Sequence, residues 1–142
     1  MRLPSATYRV QLNQNFRFID VCNILDYLRD LGISDLYLSP ILASRKGSDH
    51  GYDVTDANHL NSELGTEEEF STLQRELQNR NMGLLLDIVP NHMAASPENP
   101  WWMDVLENGP ESAFAGFFEQ RDPFCCAKKR SRANARRCRS AR

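Results

Sequence analysis

Two periods of apolar and polar positions succeed one another along the chain. Thr7-Tyr8-Arg9-Val10-Gln11-Leu12 alternates side chain by side chain and is rich in β-favouring residues, so it predicts a strand, and Asn13 to Asn15 supply a turn after it. The period then lengthens. Between Ile19 and Leu31 the apolar positions Ile24, Leu25, Leu28 and Leu31 fall at helical spacing, and Gly32 stands where a left-handed cap is needed. Ile33-Ser34-Asp35-Leu36-Tyr37-Leu38, stopped by Ser39-Pro40, reads as a second, buried strand. Beyond a long polar connection from Ile41 to Gly65, Thr66-Glu67-Glu68-Glu69 opens another helix: Thr66 can cap it, Glu69 can complete a capping box, and Phe70, Leu73 and Leu77 form its buried face. That helix ends near Asn81. Leu84 to Val89, between Gly83 and Pro90, predicts a third strand buried on both faces.

Strand, helix, strand is the parallel crossover unit, and its repetition gives an α/β fold, either an open doubly wound sheet or a (β/α)8 barrel. Asn13-Gln14-Asn15 contains no glycine, so no phosphate-cradling loop follows the first strand and the barrel is favoured. The expected architecture is therefore three β/α units at the N-terminal side of a (β/α)8 TIM barrel, an incomplete barrel with an open sheet edge, because closure takes eight strands. The expected division is a partial catalytic barrel over residues 1–119 and a basic, disordered tail over residues 120–142.

In barrels the functional groups sit at the carboxyl ends of strands. Asp87-Ile88-Val89-Pro90-Asn91-His92 places three chemically capable side chains at such an end. A connection longer than about 15 residues is uncommon in a compact domain unless it is functional. The one here holds Arg45-Lys46-Gly47-Ser48-Asp49-His50-Gly51-Tyr52-Asp53, where Gly51 permits a tight path and His50, Tyr52 and Asp53 can converge on one ligand. A solvated loop around a half-buried tyrosine is the plainer alternative. Trp101-Trp102, beside Pro100 and Asn99, is either core packing or a flat platform on which a sugar ring stacks.

Charge and cysteine usage divide the chain. All 19 acidic residues precede Pro123, with nine basic ones among them, while eight of the 17 basic residues lie between Lys128 and Arg142. Such a tail is either an arm for a polyanion such as nucleic acid or sequence outside the fold. Its Arg, Ala, Ser and Cys vocabulary without apolar periodicity resembles the product of a shifted reading frame, so a frameshifted or truncated product is expected. Cys22 lies in the body as a small buried thiol, and Cys125, Cys126 and Cys138 match no zinc spacing, so no metal is expected. Neither a membrane-length apolar stretch nor a secretory leader is seen, which fits a cytoplasmic protein.

Together these segments resemble glycoside hydrolase family 13, the α-amylase family. Asp87 to His92 matches its first signature region, and His50-Gly51-Tyr52-Asp53 matches the loop after the second barrel strand. Thr7 to Leu12, Tyr37 to Leu42, Gly47 to Val54, Asn99 to Trp102 and Asp104 to Pro110 are most similar to a trehalose-forming branch of the family. That branch rearranges the reducing-end α-1,4 linkage of a malto-oligosaccharide to an α,α-1,1 linkage, an isomerisation by intramolecular transglycosylation. The resemblance implies that Tyr52 stacks on the sugar beside the cleaved bond, that His50 and His92 hydrogen-bond its hydroxyls, and that Asp53 accepts from one. Asp87 would support a neighbouring catalytic arginine, and Asn91 would brace the loop or, in relatives that carry calcium, bind it. The nucleophile and acid/base come from later strands in the family, so no catalytic carboxylate is expected in this chain, and Glu98, Asp104 and Glu107 receive no such role. The implied partners are a malto-oligosaccharide and a hydrolase that releases trehalose. No cofactor is implied. Another α-amylase-family hydrolase and a non-catalytic α-glucan-binding remnant are the competing readings, with nucleic-acid binding through the tail a third.

Overall fold

The computed structural model describes residues 3–118. The expected tail, residues 120–142, lies outside them. The chain groups into two compact units, Met1–Met103 and Asp104–Arg142.

In the first unit three strands, β1 (Thr7–Val10), β2 (Asp35–Leu38) and β5 (Gly83–Leu86), form a parallel sheet in the order β1-β2-β5. Two helices, α1 (Phe18–Asp30) and α2 (Glu67–Asn79), supply the crossovers. The α/β class and the succession of β/α units thus follow the sequence pattern. Asp20 accepts from the Arg17 N–H at 2.8 Å to close the first turn of α1. Gly32 follows α1 with φ 89°, the left-handed conformation expected of it. At α2 both halves of the capping box form: the Glu69 N–H donates to Thr66 Oγ1 (3.1 Å) and the Thr66 N–H to Glu69 Oε2 (2.7 Å).

The helices cover one face of the sheet. Phe18, Val21, Leu25 and Leu28 of α1, Leu73 and Leu77 of α2, and Val10, Leu36 and Leu38 of the strands form the core, with Phe70 partly buried against it. Each fully buried leucine is worth roughly 1.5–3 kcal/mol relative to leaving it exposed. Two expectations for α1 change. The helix begins one residue earlier, at Phe18, which with Val21 joins its buried face, and Leu31 lies past the last turn, where it is 56% exposed. Cys22 is only partly buried; desolvation pushes its thiol above the ordinary value.

The third strand also departs from expectation. β5 ends at Leu86, and Leu85 and Leu86 are each 41% exposed instead of buried on both faces. Leu85 stands on the sheet face that the helices leave uncovered, and because β5 pairs only with β2, its other edge is open as well among the described residues.

The long connection is not structureless. It carries an antiparallel pair, β3 (Leu42–Ser44) and β4 (Val54–Leu60), whose register slips between Leu42 and Ser44. No clean alternation announces it, because polar residues stand side by side in β4, at Thr55-Asp56 and again at Asn58-His59, and bulges absorb the mismatch. Its turn is held by two carboxylates. The Lys46 N–H donates to Glu98 Oε2 (2.7 Å) and the Gly47 N–H to Glu63 Oε2 (2.9 Å).

A third helix, α3 (Pro100–Asn108), follows Asn99. In the second unit, short 3-10 turns cover Gly109–Glu111 and Ala115–Phe117, and Asp104 accepts from the Ser112 hydroxyl and from Asn108 Nδ2.

Candidate functional site

Parallel register brings the site together. Arg9 on β1 is level with Tyr37 on β2, and Tyr37 with Leu85 on β5, while Val10 and Leu38, one residue on, point into the helix-covered core. Arg9, Tyr37 and Leu85 therefore line the opposite face. Asp87 lies two residues beyond Leu85 and shares that face; its N–H still donates to the Leu38 carbonyl at 3.0 Å, which carries the ladder one step past the strand. Because all three strands run the same way, these groups gather at their carboxyl ends.

Tyr52 arrives from the β3–β4 connection. Its hydroxyl donates to Asp87 Oδ2 at 2.5 Å and accepts from Arg9 Nη2 at 2.8 Å, and Arg9 Nη2 also lies 3.4 Å from Asp87 Oδ2. The guanidinium carbon sits 5.4 Å from the centre of the Tyr37 ring. One cation, one carboxylate and two phenols thus make a closed network. The Tyr52 hydroxyl, then Tyr37 and Arg9, hold the Asp87 carboxyl below the usual carboxylate range. The same bond pushes the Tyr52 phenol above its ordinary value, since ionising it would set a phenolate against a carboxylate.

The rest of the loop packs around Tyr52. The Tyr52 N–H donates to His50 Nδ1 (3.0 Å), and the two rings stack at 5.9 Å. Asp53 accepts from the Ser48 hydroxyl at 2.5 Å, and His50 Nδ1 is 3.8 Å from Asp53 Oδ1. Gly51 is needed here on two counts: its φ is 75°, and a Cβ would sit 2.9 Å from the Pro40 carbonyl oxygen. Gly51→Ala is expected to destabilise the chain by about 1–2 kcal/mol from the left-handed strain alone. Equilibrium urea unfolding checks it, with Gly47→Ala, where nothing lies within 4 Å of an added Cβ, as a control for strain without the clash.

His50, Tyr52, Asp53 and Asp87 are therefore brought together at this end of the sheet. His92 and Asn91 are exposed and pair with each other, His92 Nδ1 lying 3.0 Å from Asn91 Oδ1. Trp101 and Trp102 are half-buried at the start of α3, where Asn99 Oδ1 accepts from both of their backbone N–H groups. Among the described residues no three His, Cys, Asp or Glu side chains gather as a metal site.

The alpha-amylase catalytic-domain model matches residues 18–139. The chain belongs to the alpha-amylase family. This alpha-amylase-family chain is 50% identical over 121 residues to a putative maltooligosyl trehalose synthase of Mycobacterium tuberculosis, a match that takes in 80% of the chain and 16% of the relative. It is 39% identical over 94 residues to an intracellular maltogenic amylase of Bacillus subtilis, covering 66% of the chain and 15% of the relative. Among solved structures, a maltooligosyl trehalose synthase matches with TM-score 0.77 and 50% identity over 79% of the chain and 16% of its own. The synthase from Arthrobacter ramosus matches with TM-score 0.77 and 43% identity over 79% and 15%. The chain thus spans about 16% of the length of the relatives it matches first, and its β/α units correspond to part of their barrel.

Arg9, Gln11, Tyr37 and Asn99 belong to the site's surroundings without lying in the clusters the sequence marks as site residues. The signal for Arg9 was present: in an alternating strand next to a parallel one, a charged residue near the carboxyl end faces the same way as Asp87.

The network carries a pH dependence that can be measured. With its folded pKa depressed, Asp87 contributes stability that is full above the unfolded carboxyl value of about 3.9 and is lost as pH falls through the lower folded value. Tyr52, with its folded pKa raised, contributes stability that is full below about 10 and is lost as pH rises through the folded value. Asp87→Asn is expected to flatten the acid limb of the stability profile and bring the Tyr52 phenol back down. A phenolate absorbance titration, differenced against Tyr52→Phe, reads the second effect; an unmoved phenol would contradict the network.

Proposed function

We propose that this chain supplies the substrate-holding part of a maltooligosyl trehalose synthase, an enzyme that turns the reducing-end α-1,4 linkage of a malto-oligosaccharide into an α,α-1,1 linkage by intramolecular transglycosylation. The observation that carries the reading is the Tyr52 ring, tethered at its hydroxyl to Asp87 and Arg9 and flanked by His50 at the carboxyl end of the sheet. A pyranose offers a C–H face to such a ring and hydroxyls to the groups around it. In this reading Tyr52 stacks on the sugar, His50 and His92 bond its hydroxyls, Asp53 accepts from one, and Trp101 and Trp102 extend the platform. Asp87 keeps its neighbours oriented, and Asn91 braces the loop through His92.

Retention at a glycosidic centre takes two carboxyl groups about 5 Å apart, one as nucleophile and one as acid/base. Glu98 is engaged by the hairpin turn and Asp104 by Ser112, so neither is assigned that work. We assign the reacting carboxylates to strands beyond these three and the setting to the cytoplasm, with a trehalose-releasing hydrolase acting on the product.

Maltopentaose is the test substrate. A version extended through the later strands is expected to consume reducing ends without releasing shorter sugars, whereas the 142-residue chain is expected to be inactive and to be retarded by α-glucan in an affinity gel. Release of shorter reducing sugars would favour the hydrolytic reading, which the 39% identity to the maltogenic amylase keeps in view. Retardation with no conversion by the extended version would favour a non-catalytic glucan-binding role. Salt-sensitive, sequence-independent DNA retention is the expected extent of any binding by residues 128–142.

A further inference from the structure

Two side chains, one from β1 and one from the residue just past its end, reach the Tyr52 loop. Arg9 Nη2 donates to the Tyr52 hydroxyl (2.8 Å), and Arg9 Nη1 donates to Gln11 Oε1 (3.1 Å). Gln11 in turn donates from Nε2 to the main-chain carbonyls of Asp49 (3.1 Å) and His50 (3.3 Å). Arg9 thus holds the tip of the Tyr52 side chain while Gln11 holds the backbone three and two residues before it. The two are themselves joined, so ring and backbone are held together from β1 and the residue that follows it. Gly51, with φ 75°, lies between the two attachment points and leaves the loop little intrinsic reason to adopt this path.

We propose that Arg9 and Gln11 act as a positioning pair that sets the Asp49–Tyr52 loop, and with it the presentation of the Tyr52 ring to a sugar. The proposal deepens the glucan-binding reading and rests on it for its purpose, though not for its geometry. The division of labour follows from donor chemistry. A guanidinium offers two forked donors and can serve Gln11 and Tyr52 at once, which a lysine ammonium on a flexible stem does not reproduce. A glutamate at position 11 still accepts from Arg9 but has no N–H for the two carbonyls.

Two substitutions separate the roles. In Gln11→Glu, amide hydrogen exchange over residues 48–53 is expected to quicken about tenfold or more relative to the helix amides of α1, since both bonds to the Asp49 and His50 carbonyls are lost. Arg9→Gln takes away the group that holds the tip of the Tyr52 side chain, so the ring should come away from Asp87 and the phenol fall toward its ordinary value; a guanidinium that acted only as a nearby cation would leave the Asp87 bond in place, and the phenol would titrate higher. Unchanged exchange at 48–53, or equal quickening throughout the sheet, would overturn the proposal, as would a rising phenol in Arg9→Gln. Both readouts are made without sugar. Maltopentaose added to the unsubstituted chain then tests the underlying reading separately: protection of residues 48–53 is expected, and its absence would overturn glucan binding while leaving the positioning result standing.

Discussion

Phe18→Ala is expected to cost the chain about 3–5 kcal/mol, the range for emptying a buried aromatic site. Phe18 is fully buried, its ring packs against Phe70 with centroids 5.2 Å apart, and its N–H donates to the Leu64 carbonyl at 3.0 Å. It is the point where α1, α2 and the end of the β4–α2 connection meet. The cavity has little prospect of collapsing. Gly65, whose added Cβ would come within 2.9 Å of Phe18 Cδ2, is fixed in an unusual conformation at φ 134°, and the backbone there is already as close as the ring permits. Urea unfolding followed by far-ultraviolet circular dichroism gives the cost, with Ile19→Ala next to it as the comparison. Ile19 is 40% exposed, so the same truncation there should cost far less. Equal losses at the two positions would mean that α1 is rotated from the face described.

That face also shows what periodicity can and cannot deliver. Ile24, Leu25, Leu28 and Leu31 repeat at helical spacing, yet the buried set is Phe18, Val21, Leu25 and Leu28, with Ile24 flanking and Leu31 outside. The spacing reveals a helix; which of two overlapping apolar stripes faces the sheet depends on where the chain enters, and that is set by the Phe18–Leu64 bond, a contact across 46 positions. The capping box at Thr66 and Glu69 was legible because both its partners are local. The β3–β4 pair was not, since bulges break the alternation that would mark it. The exposure of Leu85 and Leu86 was legible only in part: the open edge was expected from an incomplete barrel, but the apolar run itself reads as a strand buried on both faces.

The site was legible in proportion to how much of it is carried by short motifs. Asp87 and the loop around Tyr52 stood out by their density of polar groups. Arg9, Gln11 and Tyr37 did not, because each is an ordinary strand or strand-end residue whose importance arises only when the parallel register sets β1 beside β2 and the loop folds over them. A strand-end rule applied to all three strands together, instead of to the most conspicuous one, would have nominated Arg9.

Asn99 is where the second large effect is expected. It is fully buried, and its side chain satisfies three backbone groups: Oδ1 accepts from the N–H groups of Trp101 (3.0 Å) and Trp102 (3.3 Å), and Nδ2 donates to the Ala94 carbonyl (2.9 Å). The Ala94 N–H donates to the Val54 carbonyl at 2.7 Å, so the start of α3 is tied through one amide to the start of β4. Asn99→Ala removes the cap and strips the Ala94 carbonyl of this donor, a loss of about 2–4 kcal/mol. Asn99→Ser separates the two contributions, because serine caps nearly as well as asparagine but offers no amide to Ala94; it should recover about 1 kcal/mol of the loss. Trp101 and Trp102 are the only tryptophans in the chain, so their fluorescence reports on this locality directly. An emission shift in Asn99→Ala, reduced in Asn99→Ser, is the expected result, and in an active, extended version the same order should appear in maltopentaose KM if the tryptophan pair extends the platform. A serine variant no more stable than the alanine one would show that the bond to Ala94, not the cap, holds this end of α3 in place.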